Sequence, residues 1–346
     1  MAHSRAERSV SAAVRDTGSS PRTPREGGGK PEHGGSLFTV LIAFAANVLI
    51  AIAKSVAAVL TGSASMVAEA AHSWADSGNE VFLLIAERKA GKKPDPSHPL
   101  GFGRDAYVWS MFAAFGLFSA GAVVSIWHGI QSLAEEGEQT DPLVAYLVLA
   151  IAFVLEGVSF FQATRQTRGQ AASLGLHPLR FITRTSDPTL RAVFIEDGGA
   201  LIGILLAGAG ILLHQLTGSA VYDAFGSIAV GLVLAVMAIF LIARNREFLV
   251  GQPLGNPQRD VVLRGLLEDE EVERVTYLHL EFVGPGRIFL VAAVDLAGDR
   301  TESEVAERLR AVEARLESQD RITEAVLTLA TRDERPLVPE SPATSP

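Results

Sequence analysis

The sequence predicts a mainly α-helical membrane protein, with six transmembrane helices followed by a small cytoplasmic α+β domain. Hydrophobic residues make up 48% of its 346 residues and the mean hydropathy is +0.26, both of which are high for a soluble globular protein. Six apolar stretches of about 20 residues, the length needed to cross the hydrocarbon core, precede residue 250. Beyond residue 251 the pattern changes to short alternating and helical segments.

Four segments follow from these patterns. Residues 1–35 are rich in Ser, Arg, Gly and Pro without an apolar run, so we expect a disordered N-terminal tail and no cleaved signal peptide. The transmembrane domain is predicted over 36–250 and the cytoplasmic domain over 251–332, with a disordered tail at 333–346. The six spans are predicted at 37–60, 65–86, 106–130, 142–163, 189–216 and 220–243.

The loop charges predict the orientation. The loops after the second and fourth spans each carry five Lys or Arg residues, whereas the loops "TGSA", "EEGEQTDP" and "HQLTGSAVYD" carry none. Because Lys and Arg accumulate on the cytoplasmic side of spans, both termini are expected in the cytoplasm.

The last part of the chain is predicted to fold as helix, strand, strand, helix, strand. "QRDVVLRGLLEDE" and "ESEVAERLRAVEARLES" have helical apolar spacing, while "VTYLHLEFV", "RIFLVAAVDL" and "ITEAVLTLA" are typical of strands. This order indicates a small two-layer domain with helices covering one sheet.

Composition excludes several classes of site and partner. The chain has no cysteine, so a metal would need nitrogen or oxygen ligands, and no disulfide can form. The net charge is -9, and from Gln258 onward 19 Asp/Glu face 11 Arg, a net of -8. Nucleic acid is therefore not an expected partner.

The second span carries a stripe of polar residues. Its members are three or four residues apart, which places them on one helical face: Ser65, Glu69, His72, Asp76, Asn79 and Glu80. Ionisable groups are costly in the bilayer, so the stripe must line a wet cavity or meet polar groups of other helices. His72 and Asp76, one turn apart, can reach a single cation.

Further carboxylates occur at a similar depth in other spans. In the fifth span, "SDPTL" predicts a helix start with Asp187 as N-cap, and Glu196 and Asp197 follow about 15 Å further along. Glu156 lies in the fourth span, and three glycines after Asp197 permit close helix approach. Spans one, two, four and five are thus expected to form a polar core, with three and six outside.

The polar residues have two interpretations. They could form structural ion pairs, for example between Lys54 of the first span and Glu156, and this is the expected role of Lys54 and Asn47. For His72, Asp76 and Asp197 we favour a divalent cation, because Lys54 is the only nearby cation that could neutralise them.

The chain resembles the cation diffusion facilitator family of divalent-metal transporters. The motifs are "LTGSASMVAEAAHSWADSGN", "DPSHPLGFGR", "EDGGALIGILL" and "VYDAFGSIAVG", and the likeness covers about 36–335. It implies a bundle of spans one, two, four and five with three and six alongside, and a ferredoxin-like cytoplasmic domain. It also implies a homodimer that exchanges metal, most commonly zinc, for protons.

The resemblance implies a metal site with one gap. His72 and Asp76 match the ligands of the second helix and Asp197 matches one ligand of the fifth, but Val193 stands where a histidine is common. The chain resembles the branch with "ED" in the fifth helix, and Glu196, Glu156 or a water could complete the coordination. His279, the only histidine after His214, is assigned a structural role, and His98 a place in a turn or a peripheral metal site.

The resulting prediction is a zinc exporter working by proton antiport, not an enzyme, in a bacterial-type plasma membrane. No prosthetic group is expected; Zn²⁺ is the substrate and H⁺ the counter-ion. Mn²⁺, Co²⁺ or Fe²⁺ transport and a metal-sensing scaffold without transport remain alternatives. An intramembrane metalloprotease is disfavoured because the HExxH motif is absent.

Overall fold

The computed structural model describes residues 33–134, 142–173, 175–298 and 300–339, in which a helical bundle precedes a small α+β domain. Of the predicted disordered tails at 1–35 and 333–346, residues 1–32 and 340–346 lie outside these ranges. The bundle contains α1 (His33–Thr61), α2 (Ala64–Ala90), α3 (Asp105–Ser132), α4 (Leu143–Ser173), α5 (Pro178–Arg184), α6 (Pro188–Thr217) and α7 (Val221–Val250).

Every predicted span coincides with one of the six long helices. α1 begins at His33, so the first residues of the helix come from the segment assigned to the tail. α4 and α7 continue beyond their predicted spans. The short helix α5 was not predicted, and α3 contains a π-helical turn at Ala114–Phe118.

Five of the described helices are long and apolar enough to cross a membrane: α1, α3, α4, α6 and α7. α2 has the length, but Glu69, Asp76 and Glu80 interrupt its apolar character. It packs against α1, α3, α6 and α7. The second predicted span is therefore enclosed by other helices, as its polar stripe requires.

The bundle has a four-helix core and a flanking pair. α1 packs on α2 and α4, and α6 packs on α2 and α4, while α3 and α7 pair with each other beside α2 and α6. All three predicted glycines lie at helix contacts: an added Cβ at Gly198 would meet Phe160 of α4 at 3.2 Å, and one at Gly203 would meet Glu69 of α2 at 2.5 Å. A Cβ at Gly199 would overlap the side chain of Met237 of α7. These small residues let the helices approach closely.

The start of α6 is capped as the sequence predicts. Asp187 accepts hydrogen bonds from the backbone N–H groups of Thr189 (2.9 Å) and Leu190 (3.0 Å), and Pro188 occupies the first turn. The helix ends at Gly218, whose φ of +73° is a left-handed conformation that favours glycine. Both ends of the helix that carries Asp197 are thus defined by local sequence.

The last part of the chain has the predicted element order. α8 (Asn256–Leu267), β1 (Val272–Gly284), β2 (Arg287–Leu296), α9 (Glu302–Glu317) and β3 (Ile322–Leu329) follow in turn. The described strands form a sheet in the order β1-β2-β3, antiparallel between β1 and β2 and parallel between β2 and β3. Residues of both helices and all three strands share one hydrophobic core.

The α+β domain contacts the bundle at the β1–β2 turn. An added Cβ at Gly103, just before α3, would lie 2.8 Å from the Cα of Gly284 at the end of β1. Arg104 also forms an ion pair with Glu281 of β1. Close backbone contact between the two glycines and a side-chain ion pair therefore join the two parts of the protein.

Part of the predicted C-terminal tail lies against β1. The guanidinium of Arg274 donates hydrogen bonds to the carbonyls of Thr331 (3.0 Å) and Glu334 (3.1 Å). The backbone N–H of Leu337 donates to the carbonyl of Val275 at 2.7 Å. The chain therefore stays in contact with the domain beyond residue 333. Its backbone groups form hydrogen bonds with β1, which is an edge strand of the sheet.

Candidate functional site

The N-terminus of α2 is held by an aspartate of α7. The carboxylate of Asp223 accepts hydrogen bonds from the hydroxyl of Ser63 (2.9 Å) and the backbone N–H groups of Ala64 (2.6 Å) and Ser65 (3.2 Å). A carboxylate here satisfies the free donors of the first turn and interacts favourably with the helix dipole. Asp223 was not singled out from the sequence, although it fixes the depth at which α2 begins.

The polar stripe of α2 faces the neighbouring helices. Asn47 of α1 donates a hydrogen bond to Glu80, and Asn79 donates one to Glu196 of α6. Glu196 and Asn79 are both buried. The stripe therefore meets polar partners on two sides, which is the arrangement that the sequence predicted.

Lys54 has a different partner from the one suggested by the sequence. Its Nζ lies 2.8 Å from Oε2 of Glu69, and both side chains are at most 1% exposed. The example of a pair with Glu156 is therefore wrong. Glu69 belongs to the stripe, but the sequence analysis assigned it no specific contact.

His72 and Asp76 lie together with unused hydrogen-bonding atoms. Nε2 of His72 is 3.5 Å from Oδ1 of Asp76, and the histidine side chain is 1% exposed. Both ring nitrogens and this carboxylate oxygen are buried without a hydrogen-bond partner among the described residues. Buried polar atoms without partners are rare in folded proteins and require an explanation.

Asp197 is oriented by the fourth predicted span. The hydroxyl of Ser159 on α4 donates a hydrogen bond of 2.7 Å to Oδ2 of Asp197. Ser159 lies close to Glu156, one turn earlier on the same helix. The sequence could have drawn attention to Ser159, because it is a polar residue one turn from a carboxylate inside an apolar span.

The predicted site residues form one electrostatic group. The charged groups that act on Asp76 are Glu196, Glu156, Lys54 and Asp197, which come from three other helices, α6, α4 and α1. Within the described ranges, however, no three His, Asp or Glu side chains are close enough to hold a metal ion together. The five predicted residues share a region, but they do not form a closed coordination shell in this conformation.

His98 and His279 lie outside this region. His98 forms a turn in which its backbone N–H donates to Asp95 at 2.8 Å, and its ring stacks on Phe102 with centroids 4.0 Å apart. His279 of β1 has a 44% exposed side chain, with Nε2 3.6 Å from Oε2 of Glu281. His279 therefore lies on the surface of the domain rather than in its core.

Similarity to known proteins identifies the family. Residues 40–250 match the cation efflux transmembrane domain. The chain belongs to the cation diffusion facilitator family. The match begins within α1 and ends at the last residue of α7, so it spans the whole helical bundle.

Three relatives of this chain illustrate the range of similarity. Metal tolerance protein C4 of Arabidopsis thaliana is 34% identical over 233 residues, covering 67% of this chain and 51% of that protein. The human mitochondrial proton-coupled zinc antiporter SLC30A9 is 34% identical over 260 residues, 75% of this chain and 46% of that protein. The zinc transporter ZitB of Yersinia pestis is 23% identical over 260 residues, 73% and 76% of the two chains.

The chain thus spans about half the length of the first two relatives. The relatives named as antiporter and transporter are not enzymes, in agreement with the prediction for this chain. The membrane class and the family are confirmed, while the individual ligands stay predictions.

Proposed function

We propose that this protein transports a divalent metal cation, zinc first, across the membrane in exchange for protons. Relatives named as a proton-coupled zinc antiporter and a zinc transporter support this proposal. The observation that carries it is the pair His72 and Asp76, one turn apart, in which both nitrogens of the buried imidazole and the buried Oδ1 of the carboxylate have no hydrogen-bond partner among the described residues. Such a mixed nitrogen and oxygen donor set suits Zn²⁺.

In this proposal His72, Asp76 and Asp197 are the ligands, and Glu196 or Glu156 completes the set. A cation supplies the positive charge that a group of buried carboxylates with one lysine lacks. Because these residues belong to α2, α4 and α6, binding of the cation would draw the three helices together. Ser159 orients Asp197 for this role through its hydrogen bond.

Exchange follows from competition for the same atoms. Deprotonated imidazole and carboxylate groups bind the metal, and protonation of these groups releases it. If the bundle reorients around the site between the two steps, the ion crosses the membrane. The loop charges favour a cytoplasmic position of both termini, and on that basis release would occur on the opposite side. We further propose a homodimer in a plasma membrane of bacterial type.

Metal flux into proteoliposomes tests the proposal. Asp76→Ala and Asp197→Ala should each abolish zinc flux driven by a pH gradient, because each removes a ligand. Glu307→Ala, which removes an exposed carboxylate of α9, is the matched control and should transport like the parent. Full flux in either ligand variant would refute the assigned site.

The same preparation separates the alternatives. Zinc binding by the parent without any flux would support a sensing scaffold. Competition among Zn²⁺, Mn²⁺, Co²⁺ and Fe²⁺ gives the substrate order, and His72→Asp should move the preference toward Mn²⁺ because an all-oxygen shell suits the harder ion. An unchanged zinc-to-manganese ratio in that variant would count against His72 as a ligand.

A further inference from the structure

The buried ion pair between Lys54 and Glu69 lies beside the candidate metal ligands. Lys54 interacts electrostatically with Glu69, Glu156 and Asp76, so its charge acts on the carboxylates of the site as well as on its direct partner. A buried ion pair contributes little net stability relative to a well-packed apolar pair. Its position therefore calls for an explanation other than stability.

Glu69 has one carboxylate oxygen in the ion pair and one without a partner. Oε2 contacts Lys54, whereas Oε1 is buried and has no hydrogen-bond partner among the described residues. Nδ1 of His72 is likewise buried and has no hydrogen-bond partner among the described residues. A Cβ added at Gly203 of α6 would lie 2.5 Å from this oxygen and 3.4 Å from this nitrogen, so both atoms face α6 at the same glycine.

This arrangement sets the charge of Glu69 beside His72. Glu69 precedes His72 by three residues, one turn toward the start of α2, and its free oxygen lies on the Nδ1 side of the imidazole, opposite Nε2, which faces Asp76. The ammonium of Lys54 neutralises this carboxylate. Without the lysine, the negative charge would act on a metal ion bound at Nε2 of His72.

We propose that Lys54 is a tethered cation that neutralises Glu69 and so limits how tightly the His72 site holds its ion. This inference rests on the proposed transport function. With the ammonium on Oε2 of Glu69, the negative charge of the carboxylate beside His72 is cancelled. The cancellation favours release of the ion, which a transporter requires as much as binding.

Substitutions of the two partners should change zinc affinity in opposite directions. Lys54→Met removes the neutralising charge at nearly constant volume, so zinc should bind about tenfold or more tightly and leave more slowly. Glu69→Gln leaves the lysine charge unpaired near Asp76, so zinc should bind about tenfold more weakly. The double variant Lys54→Met/Glu69→Gln has neither charge and should return close to the parent affinity.

The experiment measures zinc affinity by calorimetry on the purified full chain, and zinc release and flux in proteoliposomes. A purely structural ion pair would lower the thermal stability of both single variants without opposite changes in affinity, and that result would overturn the inference. If Lys54→Met does not fold, the double variant must still bind zinc more tightly than Glu69→Gln; equal affinities would overturn the inference as well.

The two proposals fail in distinguishable ways. A parent protein that neither binds nor transports zinc removes the basis of both. A parent that transports zinc normally, together with lysine and glutamate variants whose affinities stay within about twofold of it, removes only the role of Lys54.

Discussion

Gly203→Ala should disturb the site that α6 forms with α2. The new Cβ would lie 2.5 Å from Oε1 of Glu69 and 3.4 Å from Nδ1 of His72. Glu69 cannot turn away freely, because its other oxygen is 2.8 Å from Nζ of Lys54 in a buried ion pair. The substitution therefore places one methyl group where two polar side chains already meet.

The magnitude follows from this geometry. Oxygen Oε1 would have to retreat by about 0.9 Å to reach an ordinary contact distance, and overpacking a buried site costs about 1–3 kcal/mol. Replacing glycine by alanine within a helix stabilises the folded state by about 1 kcal/mol. Weakening the buried Lys54–Glu69 pair destabilises it further. We expect a net loss of about 1–3 kcal/mol in the free energy of unfolding.

Gly208→Ala is the matched control in the same helix. An added Cβ there meets only Cδ1 of Leu149, at 4.0 Å. This variant should be as stable as the parent or more stable by up to about 1 kcal/mol. Thermal unfolding in detergent compares the three proteins, and calorimetry should show weaker zinc binding for Gly203→Ala alone. Equal stability and equal zinc affinity of the two alanine variants would refute the close contact between α6 and α2.

Three further predictions concern other contacts. Asp223→Asn puts an amide in place of the carboxylate that caps α2, so unfolding free energy in detergent should fall by about 1.5–3 kcal/mol; an unchanged value would contradict the cap. Gly284→Ala places a Cβ 2.7 Å from the Cα of Gly103, so thermal stability should fall and limited proteolysis between bundle and domain should accelerate; parental resistance would argue against that junction. Val193→His adds an imidazole one turn before Asp197, so zinc should bind more tightly and turn over more slowly; unchanged calorimetric affinity would mean that the shell is already complete.

The fold was largely predictable because its determinants are local. Six apolar stretches gave six long helices, and alternation and helical spacing gave the order of elements after residue 251. The cap at Asp187 and the end of α6 at Gly218 follow from the preferences of single residues. The short helix α5 was missed because seven residues provide too little periodicity to distinguish a helix from a loop.

The candidate site was predictable as a region but not as a set of contacts. The stripe on α2 is a property of one helix, so its residues could be identified from their spacing. The choice of Glu156 as a partner for Lys54 failed, because several carboxylates on different helices were equally plausible by charge and approximate depth. Asp223 was overlooked because its role depends on the end of another helix, which it caps across the bundle.

The sequence alone determined that the chain is a membrane protein with a polar face on α2, because length, hydropathy and helical periodicity are properties of continuous segments. Only the tertiary structure decided which side chains meet: Lys54 pairs with Glu69, and Ser159 donates a hydrogen bond to Asp197. It also decided that α2 packs closely on α6 at Gly203. Each of these contacts depends on the rotation and relative depth of two helices. A difference of one turn, about 5.4 Å, changes which side chains meet, and the packing of the whole bundle sets that difference.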